Sequence, residues 1–173
     1  MTECIRDVRV SDACRISEIY RPYVENTTIT FETEAPDEKE MERRILSHSE
    51  YPYIVMEADG RVIGYAYAGP FKERRAYRPT TEISVYLEEG YTGQGRGERL
   101  TREILSQLTK DDRYFVCLAC ITSPNPRSEK LFERLGFECV GIYENVGYKM
   151  GAWLGVKDYV LPLKPFDRAP VMK

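Results

Sequence analysis

Histidine occurs once in these 173 residues, at His48. The five cysteines, at positions 4, 14, 117, 120 and 139, are odd in number, and no second C-x-x-C accompanies Cys117 and Cys120. A metal centre of the usual histidine and cysteine composition is therefore not expected. Residues 114–121 (YFVCLACI) read as a buried strand, in which residues three apart face opposite sides. We expect Cys117 and Cys120 to be buried structural thiols, since free Cys behaves as a small hydrophobe. Basic charge is not in excess: 25 Lys and Arg stand against 28 Asp and Glu, for a net charge of -3. No long Lys/Arg run stands out, which argues against a nucleic-acid partner. No apolar run approaches the roughly 20 residues of a membrane span. The opening Met-Thr-Glu-Cys-Ile-Arg does not read as a signal peptide. A cytoplasmic protein without a membrane partner is the expectation.

The length suits one domain with a full core. We expect that domain to cover residues 1–173, with its core at about 3–163 and a tail at 164–173. A first strand is expected over residues 5–10, with Ser11-Asp12 capping a helix that carries Cys14, Ile16, Ile19, Tyr20 and Tyr23 at near-helical spacing. Residues 26–34 (NTTITFETE) read as a loop or short extended piece. Pro36-Asp37 opens a second helix with Met41, Ile45 and Leu46 on one face. Strands at 53–58 and 62–69 flank Asp59-Gly60, a strong two-residue hairpin signal, and residues 80–88 form the next strand. Further on come a helix with Leu100, Ile104, Leu105 and Leu108 on one side, and the strand at 114–121. A helix follows, opened by Asn125-Pro126 and closed by Gly136, and then strands at 137–150 and 152–162. This order predicts an α/β domain around a mixed sheet.

The chemically informative stretch is Thr92-Gly93-Gln94-Gly95-Arg96-Gly97-Glu98-Arg99-Leu100, a glycine turn between a strand and an amphipathic helix. Backbone N–H groups and the helix dipole make such a turn a phosphate site. A nucleoside-triphosphate loop requires Lys-Ser or Lys-Thr after its last glycine, where this chain has Glu98-Arg99. The dinucleotide fingerprint fails as well, because Leu100 stands three residues after Gly97.

Three segments carry a resemblance. Residues 82–87 form a strand before the turn. Thr92-Gly93-Gln94-Gly95-Arg96-Gly97 is similar to a Q/R-x-x-G-x-G/A signature, and residues 125–137 (NPRSEKLFERLGF) are similar to an N-x-x-S…LGF element. Together they make the chain resemble the GCN5-related N-acetyltransferases over essentially its whole length. A narrower resemblance, to the phosphinothricin and methionine sulfoximine acetyltransferases, rests on several further matches. These are Asn26-Thr27-Thr28, Phe31, Tyr67 to Lys72, Arg74, Ala76-Tyr77, Thr81-Glu82, Ser84-Val85-Tyr86, Gly147-Tyr148-Lys149 and Trp153.

The resemblance implies a single-domain α/β fold with a mostly antiparallel central sheet flanked by helices. It also implies acetyl-CoA as co-substrate, no metal, a small amino-acid-like acceptor and a homodimer. Val85, Tyr86 and Leu87 would pair with the pantetheine arm, and Gly93, Gln94, Gly95, Arg96, Gly97 and Glu98 would cradle the pyrophosphate. Asn125 would contact the coenzyme from the late helix. Glu82 is the expected base, because an ammonium has no lone pair and a partly buried carboxylate can take its proton. Phe31, Lys72, Arg74, Tyr77, Glu82 and Ser84 would form the acceptor site, with cationic side chains suited to the substrate's carboxylate. Three departures qualify the match: Thr92 at the first turn position, Phe132 where a proton donor for the thiolate is expected, and Leu154-Gly155 after Trp153. Water or Tyr86 are the alternatives as that donor. Acetylation of a polyamine, an aminoglycoside or a protein N-terminus is the alternative within the same fold, and a non-catalytic acyl-CoA sensor the alternative outside enzymes.

Overall fold

Asp59 and Gly60 both adopt positive φ, 49° and 81°. This is the backbone of a tight primed turn, and it joins β2 (Tyr53–Ala58) to β3 (Arg61–Pro70). The computed structural model describes residues 2–172. Its other elements, in chain order, are β1 (Glu3–Asp7), α1 (Ala13–Asn26), α2 (Glu38–Ser47), β4 (Thr80–Leu87), α3 (Arg96–Lys110), β5 (Val116–Ser123), α4 (Pro126–Arg134), β6 (Glu138–Lys149) and β7 (Ala152–Pro162). The strands form one sheet in the order β1-β2-β3-β4-β5-β7-β6. Among the described strands, β4 and β5 are the one parallel pair. The expected mixed, mostly antiparallel sheet flanked by helices is what forms.

The two faces of the sheet carry separate cores. On one, Leu100, Ile104 and Leu108 of α3 are fully buried against Ile54, Met56, Ile63 and Ile83. Each such side chain stabilises the fold by roughly 1.5–3 kcal/mol. On the other, Ile16, Ile19, Tyr20 and Val24 of α1 join Met41 and Ile45 of α2 against Val55 and Tyr65.

Local expectations fail where tertiary pairing decides. The first strand runs over Glu3–Asp7 rather than residues 5–10, because its register with β2 ends at Asp7 facing Ile54. Asp12 precedes α1 without a side-chain cap bond; its carboxylate accepts from the Arg9 N–H at 2.7 Å and pairs with Arg6 at 2.8 Å. Leu46 is 60% exposed, off the face that buries Met41 and Ile45. The strand expected from residue 114 begins at Val116. Of the two strand cysteines expected to be buried, Cys117 is and Cys120 is exposed, as are Cys4, Cys14 and Cys139 elsewhere.

Candidate active site

The parallel ladder of β4 and β5 is short. Thr80, Thr81 and Glu82 face Val116, Cys117 and Leu118, and beyond Glu82 the two strands part. β5 keeps its antiparallel partner β7 through to Ser123, while β4 keeps β3. The stretch from Ile83 to Leu87 therefore has one free edge. The Glu88 N–H donates to Ile63 O on β3, so by alternation Val85 and Leu87 turn their N–H and C=O groups to the open side. The Tyr23 hydroxyl, from α1, already donates to Leu87 O at 2.5 Å.

A cleft of about 240 Å³ runs along this edge. Its walls are Val85 and Leu87 from β4, Gly93, Gly95, Gly97 and Glu98 from the turn and α3, and Asn125, Arg127, Leu131 and Arg134 from the region of α4. Gly93 and Gly95 sit at φ 81° and 76°, and Gly95 is the residue immediately before α3, so the turn opens the helix with its N–H groups free of a side-chain cap. A Cβ on Gly93 would stand 3.9 Å from the Arg127 guanidinium, which brings a cation over the turn. The arrangement suits a phosphate-bearing chain. At its inner end, a second recess lies in the fork itself, lined by Ser84, Val85, Tyr86, Cys120, Thr122 and Phe132, among others.

Several expected coenzyme residues thus come together: Val85, Leu87, Gly93, Gly95, Gly97, Glu98 and Asn125 share one cleft. Asn125 also caps α4. Its side-chain oxygen accepts from the Ser128 N–H at 3.3 Å, and its own N–H donates to Glu129 at 3.1 Å. Gln94 is exposed on the turn. The Arg96 side chain turns inward, with its guanidinium paired to Glu3 at 2.7 Å and 5.3 Å from the Tyr91 ring, which leaves its backbone as the part available to a ligand. Arg127, Leu131 and Arg134 were missed by sequence reasoning. Their spacing of four and three on one helix face, next to Asn125, was the signal.

The acceptor residues divide. Glu82 and Ser84 project to the same face of β4, with Tyr67 beside them acting on both. Glu82 is half-buried, and burial is the leading cause that lifts its carboxyl above the ordinary range; the Cys120 thiol opposes this and the charge of Asp158 adds to it. Tyr86 packs edge-on against Tyr20, at 4.8 Å, and against Tyr23, at 5.2 Å. Burial raises the Tyr86 phenol well above its usual range, its hydroxyl is engaged with Tyr20, and the residue also lines the fork recess. Phe132 is buried and edge-on to Phe137 at 5.1 Å. Phe31 lies outside the fork recess, against Gly147, where an added Cβ would meet its ring at 2.6 Å. Lys72, Arg74 and Tyr77 lie on the exposed loop after β3, where the Lys72 ammonium stands over the Phe71 ring at 4.6 Å and the Tyr77 ring at 5.2 Å. Among the described residues no group of three or more metal-ligating side chains occurs.

Known proteins share this architecture. The family model described as "Acetyltransferase (GNAT) domain" matches residues 5–155. Phosphinothricin N-acetyltransferase of Streptomyces viridochromogenes is 34% identical, with 96% of this chain and 93% of that one covered. The L-methionine sulfoximine/L-methionine sulfone acetyltransferase of Pseudomonas aeruginosa is also 34% identical, over 98% of this chain and 100% of its own. Among solved structures, a phosphinothricin acetyltransferase of Sinorhizobium meliloti in complex with AcCoA superposes with a TM-score of 0.94. It is 36% identical, and the match covers 99% of this chain and 94% of that one.

Proposed function

The chain belongs to the acetyltransferase (GNAT) family, and on that premise we propose that it moves the acetyl group of acetyl-CoA to the α-amine of a small amino-acid analogue of the phosphinothricin or methionine sulfoximine type. The observation that carries this reading is the fork beyond Glu82, where a cleft suited to a phosphate-bearing chain follows the open edge of the strand that bears this half-buried carboxylate.

The residues divide the work as follows. Backbone N–H groups of the turn from Gly93 to Glu98, with Arg127 above them, hold the pyrophosphate. The free edge of β4 at Val85 and Leu87 holds the pantetheine arm and directs the thioester to Glu82. Glu82 takes one proton from the substrate ammonium, directly or through a water, and the neutral amine attacks the acetyl carbonyl. A backbone N–H of the β4 edge near Leu87 receives the developing oxyanion. Collapse breaks the C–S bond, and the second amine proton leaves with the thiolate or to solvent. A thiol of pKa about 8.5 is a competent leaving group without a dedicated acid, so Phe132 is compatible with turnover. Lys72 and Arg74 supply positive charge next to the strand that bears Glu82, which favours an acidic acceptor over a polycationic one.

Two further parts belong to this reading. The hairpin of β6 and β7 exposes Ile142, Tyr143, Val146, Tyr148 and Trp153, and a second copy of the chain covers that face. Five free thiols and an acetyl-CoA-dependent reaction suit the cytoplasm.

The test is thiol release from acetyl-CoA with phosphinothricin, methionine sulfoximine, methionine sulfone and a panel of polyamines, with the protein's own cysteines subtracted. Turnover with the first three and little with polyamines is expected. Turnover confined to polyamines would overturn the substrate class, and coenzyme binding without any turnover would make the chain a sensor.

A further inference from the structure

The face of the sheet that carries Glu82 carries two more groups at the fork. Leu118 faces Glu82, and Cys120 lies two residues further along β5, on the same side and just past the last paired position. Cys120 in turn faces Asp158 on β7. On the far side of Asp158 stands Gly141 of β6, which adds no side chain. The Cys120 thiol thus sits between two carboxylates, and it interacts with both. Also near Glu82 on this face are Thr80 and Ser84 on its own strand, Tyr67 on β3 and, just after α2, His48 over Gly69, the residue that faces Glu82.

We propose that Cys120 and Asp158 are positioning residues that clamp Glu82: the single S–H is shared between the two carboxylates and holds Glu82 at the mouth of the fork, facing the acceptor amine. The proposal rests on the functional reading above and deepens it. A half-buried carboxylate at the start of the fork without such a tether has several rotamers, and only some of them face the fork. The thiol is suited to the task because it donates one weak hydrogen bond without adding charge. Although Cys120 keeps exposed surface, desolvation of its thiol in the fork recess, together with both carboxylates, pushes the thiol pKa up, so Cys120 stays protonated and does not compete with the amine for the acetyl group.

The clamp has a signature that a merely structural role lacks. The thiol stabilises ionised Glu82, whereas the Asp158 charge opposes it. Cys120→Ala therefore moves the Glu82 titration, and the acidic limb of kcat/KM, to higher pH, and Asp158→Asn moves both to lower pH. Cys120→Ser, which keeps a donor, returns the limb towards that of the parent. kcat of Cys120→Ala falls by about tenfold or more, from misplacement of the base, while KM for acetyl-CoA stays unchanged.

The Glu82 carboxyl is titrated by carbon-13 NMR in the parent protein and the three variants, beside pH–rate profiles and thermal melts. Opposite shifts in Cys120→Ala and Asp158→Asn, with melts intact, support the clamp. Unmoved titrations, or shifts of the same sign, overturn it. Absence of turnover in the parent protein would overturn the functional reading instead, and the NMR titration would still decide the clamp.

Discussion

Glu82 and Leu118 are the last residues of β4 and β5 to face each other, and the cleft begins where their ladder ends. A carboxylate at that point pays for its position in stability. Glu82 carries a pKa raised chiefly by burial, so the folded state holds its proton more tightly than the unfolded chain does. Stability is then full below the unfolded value and declines as pH rises through the folded one. Glu82→Gln should raise the melting temperature at about pH 8 and change it little at about pH 4, if the rest of the acid titration is common to both proteins. Equal melting curves at both pH values would contradict this.

The glycine turn separates conformational from steric demands. Gly95 has φ 76° with open space around a prospective Cβ, so Gly95→Ala should cost about 1–2 kcal/mol of stability for backbone reasons alone. Gly97 has an ordinary helical backbone, and its Cβ would meet Leu87 at 3.6 Å and Leu131 at 3.8 Å, both normal contacts. Gly97→Ala should therefore leave the melting temperature equal or higher and still weaken acetyl-CoA binding, because the methyl group enters the cleft. Calorimetric titration with acetyl-CoA checks this; unchanged affinity would show that the coenzyme passes elsewhere.

These features differ in how far the sequence exposes them. The Asp59-Gly60 hairpin, the buried stripe of α3 and the Asn125 cap of α4 are local, and each was legible from a few neighbouring residues. The fork was not, since it depends on where the ladder between β4 and β5 ends, at Glu82 and Leu118, while β5 stays paired to β7 on its other edge. Arg96 sits inside the signature turn, yet its side chain answers to Glu3, which is 93 positions away. Cys120 was expected to be a buried thiol because YFVCLACI is apolar; the parting of the strands leaves it open beside Asp158, a neighbour only in space.

Direct transfer predicts that no covalent acetyl-enzyme forms. With its thiol pKa raised by desolvation in the recess and by Glu82 and Asp158, Cys120 should remain unmodified after incubation with acetyl-CoA alone. Intact-protein mass spectrometry followed by peptide mapping reads this. A stoichiometric 42 Da adduct at Cys120 (about the mass of one acetyl group) would point to a two-step route through the thiol.

The sole tryptophan reports on association. Trp153 is 65% exposed on the β6–β7 hairpin, 5.3 Å from the Tyr148 ring. Pairing of two copies through this face should shift its emission to shorter wavelength as concentration rises, and Tyr148→Glu should keep the long-wavelength emission and a monomer's sedimentation. Emission independent of concentration, together with sedimentation as a monomer throughout, would refute the interface.

The central claim is that Glu82 removes the proton that keeps the acceptor amine from attacking. It is tested most directly by steady-state kinetics and acetyl-CoA binding of Glu82→Gln beside the parent protein, with phosphinothricin as acceptor. The account predicts a fall in kcat of about 10²–10⁴ with the dissociation constant for acetyl-CoA unchanged. Full turnover in the variant would contradict it.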